Sequence, residues 1–230
     1  MSQVATAGYA AVDKYETPLT PDSWGKLGMW VFLAGDAMSF GALLATYGAI
    51  RFGAANWPNP TETLGIMLTA VMTFLLICSS VTMVKSLAAM QEGDRQGCIK
   101  FLAMTIAGGV IFLGLQAFEW SHLIGEGMKL AENAFIIDAS GSVVGHYHEG
   151  LELAAGQMRA SSLFGTTFFM TTGFHGLHVF SGVIYLTVIL LKVMRGDYSP
   201  EDPNGIEIVG LYWHFVDLVW ILVFTFVYLV

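Results

Sequence analysis

The chain has 230 residues, of which 55% are hydrophobic and only 12% are charged. Soluble domains carry about 25% charged residues, so this composition excludes an ordinary soluble protein and indicates an integral membrane protein. The formal net charge of −8 argues against a nucleic-acid partner, and the two cysteines, Cys78 and Cys98, do not suggest a disulfide framework or a metal site.

Five apolar stretches are long enough to cross a bilayer, since about 20 helical residues span its hydrocarbon core. We therefore predict an all-α, polytopic membrane protein with five transmembrane helices in one membrane domain, residues 24–230. A polar tail (1–23) without the features of a cleaved secretory signal precedes this domain, and an outer loop (125–160) interrupts it. The predicted spans are residues 27–52, 64–90, 99–123, 163–193 and 206–230.

The positive charges predict how the helices are oriented. If five helices alternate in direction, seven of the ten Lys and Arg residues lie on one side of the membrane and three on the other. The side richer in positive charge is normally the inner one. We therefore expect the N-terminus inside and the C-terminus outside.

The first helix carries an acidic residue deep in the membrane. Asp22 and Ser23 are predicted to cap this helix, and Asp36 then lies roughly 15 Å from Lys26 along the axis, near the bilayer centre. A buried lone acid is costly, so it is either neutral and hydrogen-bonded or in contact with water or a partner, and a functional and a structural role stay equally open. Gly41 and Ala45, four residues apart, predict a closely packed helix face.

The second and third helices carry hydroxyl and acidic groups. The hydroxyls of the second helix are predicted to bond back to their own backbone. Glu119, roughly 28 Å from Lys100 along the third helix, is interpreted as a hydrated or capped acid at the outer interface. The hydroxyl-bearing residues are Thr73, Ser79, Ser80 and Thr82.

The long loop at 125–160 has two apolar segments on either side of Asp138 and Ser140, which predict a small β-hairpin. The loop is also acidic and could attract a basic partner. We prefer the simpler interpretation, in which these acids are solvated.

The last two helices contain mid-membrane histidines. In the fourth helix, His175 and His178 stand among glycines that allow close helix contact, which predicts an inner, packed helix. In the fifth helix, His214 and Asp217 are three residues apart and share a helix face. The fourth-helix glycines are Gly173, Gly176 and Gly182.

These polar groups allow two interpretations. Histidines and carboxylates on adjacent helices could bind a metal or a haem iron, but a carboxylate-bridged metal pair needs two Glu-x-x-His motifs and only Glu119 and His122 form one. We favour the second interpretation, in which the groups bond one another and hold the helices in register. The candidate network comprises Asp36, Glu119, His175, His178, His214 and Asp217.

Five sequence blocks resemble those of cytochrome c oxidase subunit III, the third core subunit of haem-copper oxidases. The resemblance extends over most of the membrane domain and is most specific around His175 and His214. The blocks are LGMWVFLAGDAM, LLICSSVTM, GVIFLGLQAFEW, FFMTTGFHGLHVFSG and LYWHFVDLVWILVF.

The resemblance implies a five-helix subunit of a proton-pumping terminal oxidase in the aerobic respiratory chain. Such a subunit carries no redox centre and no metal of its own. It packs on subunit I, which holds haem and copper, in a complex with subunit II. It also binds phospholipid and supports proton uptake and turnover stability. Asp36 matches the family's intramembrane glutamate and is one methylene shorter. The expected location is the bacterial inner membrane, where a larger respiratory supercomplex is a further candidate partner.

Other functions remain open from the sequence. A quinol oxidase subunit III would share the same blocks, because the electron donor docks mainly on other subunits. A stand-alone haem- or metal-binding membrane enzyme would use His175, His178 and His214. A small transporter would use Asp36 as a proton-linked site.

Overall fold

The computed structural model describes residues 24–230 and shows a helical membrane protein. Within this described range, five helices are long and apolar enough to cross a membrane, as predicted. The predicted polar tail and the capping residues Asp22 and Ser23 lie outside the described residues. The helices are α1 (Trp24–Gly53), the short α2 (Pro60–Thr63), α3 (Ile66–Gln91), α4 (Arg95–Gly125), α5 (Ser162–Arg195) and α6 (Asn204–Val223), which continues as a π-helix (Phe224–Leu229).

Four of the long helices form a ring, and the fifth packs outside it. α3 packs along α4, α4 on α5, α5 on α6, and α6 returns to α3. α1 lies against α6 and α5 from the outside and is the least buried of the five spans. The core of the molecule therefore lies inside the four-helix ring, and α1 contributes only one face to it.

Local sequence explains where the helices begin and end. The Asp94 side chain accepts a hydrogen bond from the backbone N–H of Gly97 and caps α4, which begins four residues before the predicted span. α5 ends at Gly196, whose φ of 93° suits a residue without a β-carbon. Close to this end, the Arg95 Nε donates to the backbone carbonyl of Val193 over 2.8 Å and joins α4 to α5.

A small three-stranded antiparallel sheet covers one end of the bundle, which we call the sheet end. Its strands are β1 (Phe135–Ile137), β2 (Val143–His146) and β3 (Met158–Arg159), in the order β2-β1-β3. The β1–β2 hairpin confirms the prediction for this loop, whereas no pattern in the sequence indicated the two-residue β3. The Asn56 side chain donates to the carbonyl of Arg159 over 2.8 Å, so the loop after α1 is tied to the sheet.

Candidate functional site

The acid of α1 meets a histidine of α5 in the middle of the membrane domain. The Asp36 Oδ2 lies 2.9 Å from the His178 Nε2, and both side chains are largely buried, at 10% and 14% exposed. The distance is that of an ion pair, although Oδ2 has no aligned hydrogen bond within residues 24–230. Asp36 is therefore partnered inside the chain, by a side chain from a helix that comes much later in the sequence.

The other ring nitrogen of His178 determines how many protons this pair holds. Nδ1 lies 2.7 Å from the backbone carbonyl of Phe174, and a carbonyl can only accept, so Nδ1 carries a hydrogen. A neutral imidazole would then present a lone pair at Nε2 to the carboxylate. This repulsion disappears when one proton lies between Nε2 and Oδ2. The proton is bound either to the histidine or to the acid. The pair is thus built to hold one shared proton.

Tyr212 of α6 fixes the backbone beside this pair. Its hydroxyl lies 2.7 Å from the Ser181 Oγ and donates to the His178 carbonyl over 3.1 Å. The Phe40 ring of α1 packs edge-on against the imidazole, with centroids 5.2 Å apart. Three helices therefore converge on His178 and hold its ring in place.

A second polar group lies between α3 and α6. The Ser80 Oγ is 2.6 Å from the His214 Nδ1. Asp217 is 8% exposed, and its Oδ1 has no hydrogen-bond partner in the described part of the chain. His214 and Asp217 both lie on α6, the first half-buried and the second buried, and Ser80 contacts His214.

His175 is enclosed by aromatic rings rather than by polar partners. It is fully buried, and neither ring nitrogen has a hydrogen-bond partner among the residues that the structure describes. The Trp220 ring lies 4.8 Å from it and the Phe112 ring 5.7 Å, centroid to centroid. His175 therefore lies in the bundle core, apart from the contact between Asp36 and His178.

Glu119 is buried, so the expectation of a hydrated acid at the interface is wrong. It is 3% exposed and accepts two hydrogen bonds, from the Thr69 hydroxyl over 2.9 Å and from the Tyr228 hydroxyl over 3.0 Å. α4 extends beyond the predicted span, to Gly125, and α3 and the π-helix cover this part of it. Glu119 thus joins three helical segments, whereas His122, on the same helix, is exposed beside Glu126.

The glycines of α5 allow close helix contacts, as predicted. A β-carbon added at Gly176 would lie 2.6 Å from the Gln116 Oε1 of α4, and one at Gly182 would lie 2.9 Å from the Trp213 ring of α6. At Gly173 the nearest atom, in the Trp120 ring, would be 3.1 Å away. These distances are too short for a larger residue without local movement.

The corresponding face of α1 makes no close contact within residues 24–230, so its predicted packing stays a prediction. A β-carbon added at Gly41 would have no atom within 4 Å, and both Gly41 and Ala45 are at most partly covered by the rest of the bundle. Spacing of small residues identifies a helix face that permits close contact, but it does not say whether that face turns toward the same chain. Here the face turns away from the four-helix ring.

The three mid-membrane histidines have separate surroundings. His178 is engaged by Asp36 and by the Phe174 carbonyl, His214 by Ser80, and His175 by aromatic rings. Within residues 24–230, no three His, Cys, Asp or Glu side chains are grouped closely enough to hold a metal ion. The arrangement instead supports proton sharing and helix attachment.

Several partners in these groups were missed from the sequence. Ser80 was expected to bond to its own helix, and no pattern in the sequence indicated Thr69, Tyr212 or Tyr228 as hydrogen-bonding partners. Thr69 lies one helical turn before Thr73, whose hydroxyl accepts from the Trp220 indole, so the two hydroxyls mark one inward face of α3. That four-residue spacing is the feature of the sequence that could have indicated that these two hydroxyls face inward.

A sequence comparison identifies a family that matches this chain. The family described as "Cytochrome c oxidase subunit III" matches residues 122–230. This region includes α5 and α6, and therefore the histidines His175, His178 and His214.

Curated relatives match over most of the chain. "Cytochrome c oxidase subunit 3" of Corynebacterium diphtheriae is 32% identical over 89% of this chain and 87% of its own length. "Quinol oxidase subunit 3" of Bacillus subtilis is 31% identical over 88% of this chain and 85% of its own length. "Cytochrome bo(3) ubiquinol oxidase subunit 3" of Pseudomonas putida is 30% identical over 88% of this chain and 84% of its own length.

Proposed function

Since this chain belongs to the cytochrome c oxidase subunit III family, we propose that it is a non-catalytic core subunit of a proton-pumping terminal oxidase in the aerobic respiratory chain. Membership of the family makes it the third subunit of a haem-copper oxidase, an integral membrane protein that associates with other oxidase subunits. In the proposed complex it packs on subunit I, with subunit II also present. Electrons reach oxygen through those partners.

One observation carries the non-catalytic part of this proposal: the mid-membrane histidines are engaged separately. Each is occupied by a different neighbour, and within residues 24–230 they offer no set of ligands to a metal. We place haem and copper in the partner subunit, so that this chain contributes structure and proton handling.

The pair formed by Asp36 and His178 supports a role in proton uptake and turnover stability. It holds a shared proton at mid-membrane and also attaches α1 to the bundle. A group that exchanges a proton can feed proton transfer, and one that holds a helix can protect a complex during turnover. Aspartate, although one methylene shorter than glutamate, reaches His178 here.

A lateral groove between α4 and α5 supports the proposed binding of phospholipid. The groove has a volume of about 490 Å³ and an almost wholly apolar lining. The Trp120 ring forms part of this lining. An acyl chain would fill the groove.

We propose that the sheet end lies outside and that both the N-terminus and the end of the bundle opposite the sheet lie inside. Most of the Lys and Arg residues lie on the side of the bundle opposite the sheet, and this excess supports the orientation. The bacterial relatives support a location in the bacterial inner membrane, where a larger respiratory supercomplex is a further candidate partner.

A quinol oxidase is the second candidate complex. Relatives named for quinol oxidases match at 31% and 30% identity, close to the 32% of the cytochrome c oxidase relative. The two candidates differ in the partner that receives electrons, and this chain would have the same part in both.

Purification in mild detergent tests the proposal. We expect the tagged chain to bring down a larger subunit with stoichiometric haem and copper, identified by mass spectrometry, an optical spectrum and elemental analysis. Activity with reduced cytochrome c or with quinol then distinguishes the two oxidases. A monomeric chain that itself binds stoichiometric haem or metal would instead show the stand-alone enzyme.

A further inference from the structure

A buried tyrosine near the end of the last helix is hydrogen-bonded to a buried acid. The Tyr228 hydroxyl donates to the Glu119 Oε2 over 3.0 Å, and both side chains are enclosed by the bundle. We propose that Tyr228 is a redox-active tyrosine, which gives one electron to an oxidised tryptophan of this chain and its proton to Glu119. This activity goes beyond the proposed role in the oxidase.

The partner of its hydroxyl distinguishes Tyr228 from the other tyrosines. A tyrosine that loses an electron becomes a strong acid, so it is oxidised readily only where a base lies within hydrogen-bond reach, about 2.6 to 3.2 Å between heavy atoms. The Tyr47 and Tyr212 hydroxyls donate to backbone carbonyls, which are very weak bases. Among the tyrosines of residues 24–230, Tyr228 is the one whose hydroxyl donates to a carboxylate.

Glu119 is arranged to take the proton. Its Oε1 accepts from the Thr69 hydroxyl over 2.9 Å, and its Oε2 accepts from Tyr228. With both oxygens accepting, the carboxyl group acts as a carboxylate. A proton that arrives at Oε2 removes a charge from the bundle interior, which favours the transfer. The proton moves along one hydrogen bond, so the step needs no water and no proton from outside.

Aromatic rings lead from Tyr228 to the lateral surface of the bundle. The Phe168 ring lies 5.5 Å from the Tyr228 ring, centroid to centroid. The Phe169 ring lies 5.3 Å from Phe168, and the Trp120 ring lies 5.2 Å from Phe169. Trp120 lines the groove between α4 and α5. Two phenylalanine rings therefore connect a tryptophan of the groove with the buried tyrosine.

The ring types determine where the oxidising equivalent comes to rest. An indole loses an electron far more readily than the benzene ring of phenylalanine, so Phe168 and Phe169 serve only as a bridge. Trp220 also lies near Tyr228, at 6.1 Å, but its indole N–H donates to the Thr73 hydroxyl, which is not a base. Tyr228 is the ring with a proton acceptor in place, so the electron leaves from there.

The step balances in atoms and in charge. An outer-sphere one-electron oxidant, of the class of high-potential metal complexes and organic radical cations, takes an electron from Trp120 and leaves its radical cation. Trp120 regains an electron from Tyr228 while the Tyr228 O–H bond breaks and an O–H bond forms at the Glu119 Oε2. The products are a neutral tyrosyl radical, a neutral carboxyl group and the restored tryptophan. The oxidising equivalent then lies inside the bundle, away from the lipid.

Flash oxidation of the purified intact complex tests the proposal. The probe is a lipophilic ruthenium tris(bipyridine) complex, which light and a cobalt(III) acceptor convert into a one-electron oxidant. We expect a carboxylic-acid band to appear in the infrared difference spectrum as Glu119 gains the proton. A tyrosyl radical should appear at the same rate in the electron paramagnetic resonance spectrum.

Three variants assign the infrared band. It should be lost in Tyr228→Phe, which has no proton to give, and in Glu119→Gln, whose amide can accept a hydrogen bond but not a proton. Trp120→Phe should also lose the band, because the oxidant then finds no tryptophan in the groove. This third variant alters neither partner of the hydrogen bond, so it keeps the test usable if the other two fail to assemble.

Tyr185→Phe is the matched control and should retain the band, since the Tyr185 hydroxyl makes no hydrogen bond within residues 24–230. Absence of the band from the unaltered complex overturns the proposal. A band that persists in an assembled Tyr228→Phe or Trp120→Phe complex does so too. The measurement reads one carboxyl group and does not depend on oxygen reduction, so its outcome is independent of the proposed function.

Discussion

Asp36 of α1 and His178 of α5 face each other at 2.9 Å, and their contact joins the least buried span to the four-helix ring at mid-membrane. Two further contacts hold α1 at its ends, from Lys26 to Glu207 and from the Tyr47 hydroxyl to the carbonyl of Val227. α1 is thus attached near both ends and at its centre. The central attachment is the one that joins an acid and a histidine at mid-membrane.

Replacement of Asp36 by asparagine should separate proton handling from oxygen reduction. An amide can still donate to the His178 Nε2, so we expect Asp36→Asn to retain haem and to reduce oxygen. Its stability should fall by about 1 kcal/mol, because a neutral hydrogen bond replaces a charged one. Proton uptake should slow, since the amide carries no exchangeable acid proton. Oxygen consumption and proton uptake in vesicles measure the two effects.

Ser39→Ala is the control for this experiment, because Ser39 is exposed on the same helix and bonds only its own backbone. Complete loss of haem from the Asp36→Asn complex would contradict the prediction. So would proton uptake identical to that of the control.

Tyr228→Phe should destabilise the end of the last helix. The change removes one of the two hydroxyl donors to the buried Glu119 and should cost about 1 to 3 kcal/mol. Thermal unfolding in detergent measures it. Tyr185→Phe is the matched control, since the Tyr185 hydroxyl makes no hydrogen bond within residues 24–230. Equal midpoints for the two variants would show that the contact to Glu119 contributes nothing.

Gly182→Leu should destabilise the bundle, because the new side chain would collide with the rings of Trp213 and Tyr212. Overpacking of this kind costs about 1 to 3 kcal/mol or more. Gly35→Leu is the control, as Gly35 has open space at the β-carbon position. The midpoint of unfolding and the yield of folded chain should fall in Gly182→Leu relative to Gly35→Leu. A reversed order would contradict the observed packing.

The β1–β2 turn should lose order in acid. The pKa of Asp138 is lowered, chiefly by the Ser140 hydroxyl and also by the backbone N–H groups of Ser140 and Ser142. Because the folded pKa lies below the ordinary value of 3.8, the stabilisation is complete above that value and is lost as pH falls through the lower folded pKa. The amide chemical shifts of Ser140 and Ser142 should follow this transition.

Asp138→Asn serves as the control for the turn, since an amide does not titrate. In this variant the amide chemical shifts of Ser140 and Ser142 should not change over the same pH range. A midpoint at or above 3.8 in the unaltered protein would contradict the lowered pKa.

The five spans could be predicted because hydrophobic length alone determines which segments cross a bilayer. The ends of these helices could not be predicted from hydrophobicity, since a capping residue such as Asp94 extends a helix beyond its apolar part. The β1–β2 hairpin was predicted from two apolar runs around Asp138, whereas β3 is too short to have a pattern of its own.

The contacts between helices were harder to predict. The polar residues of the candidate network were identified, but Ser80 was assigned to its own helix and Glu119 to the water interface. Partner choice depends on how each helix is rotated and on which neighbour it meets, and a single sequence does not contain that information directly. The glycines of α5 face inward and meet neighbouring helices of this chain, whereas the face of α1 that carries Gly41 turns outward, where this chain has no atom to meet it.

The position of α1 outside the ring has a consequence for biogenesis. α1 leaves the ribosome well before α5 and α6, the helices that receive it. At about 5 to 20 residues per second, roughly 7 to 28 s pass between the synthesis of Asp36 and that of His178. During this interval Asp36 has no His178 beside it, so a carboxyl group that would be costly to bury alone lacks the partner that it has in the finished protein.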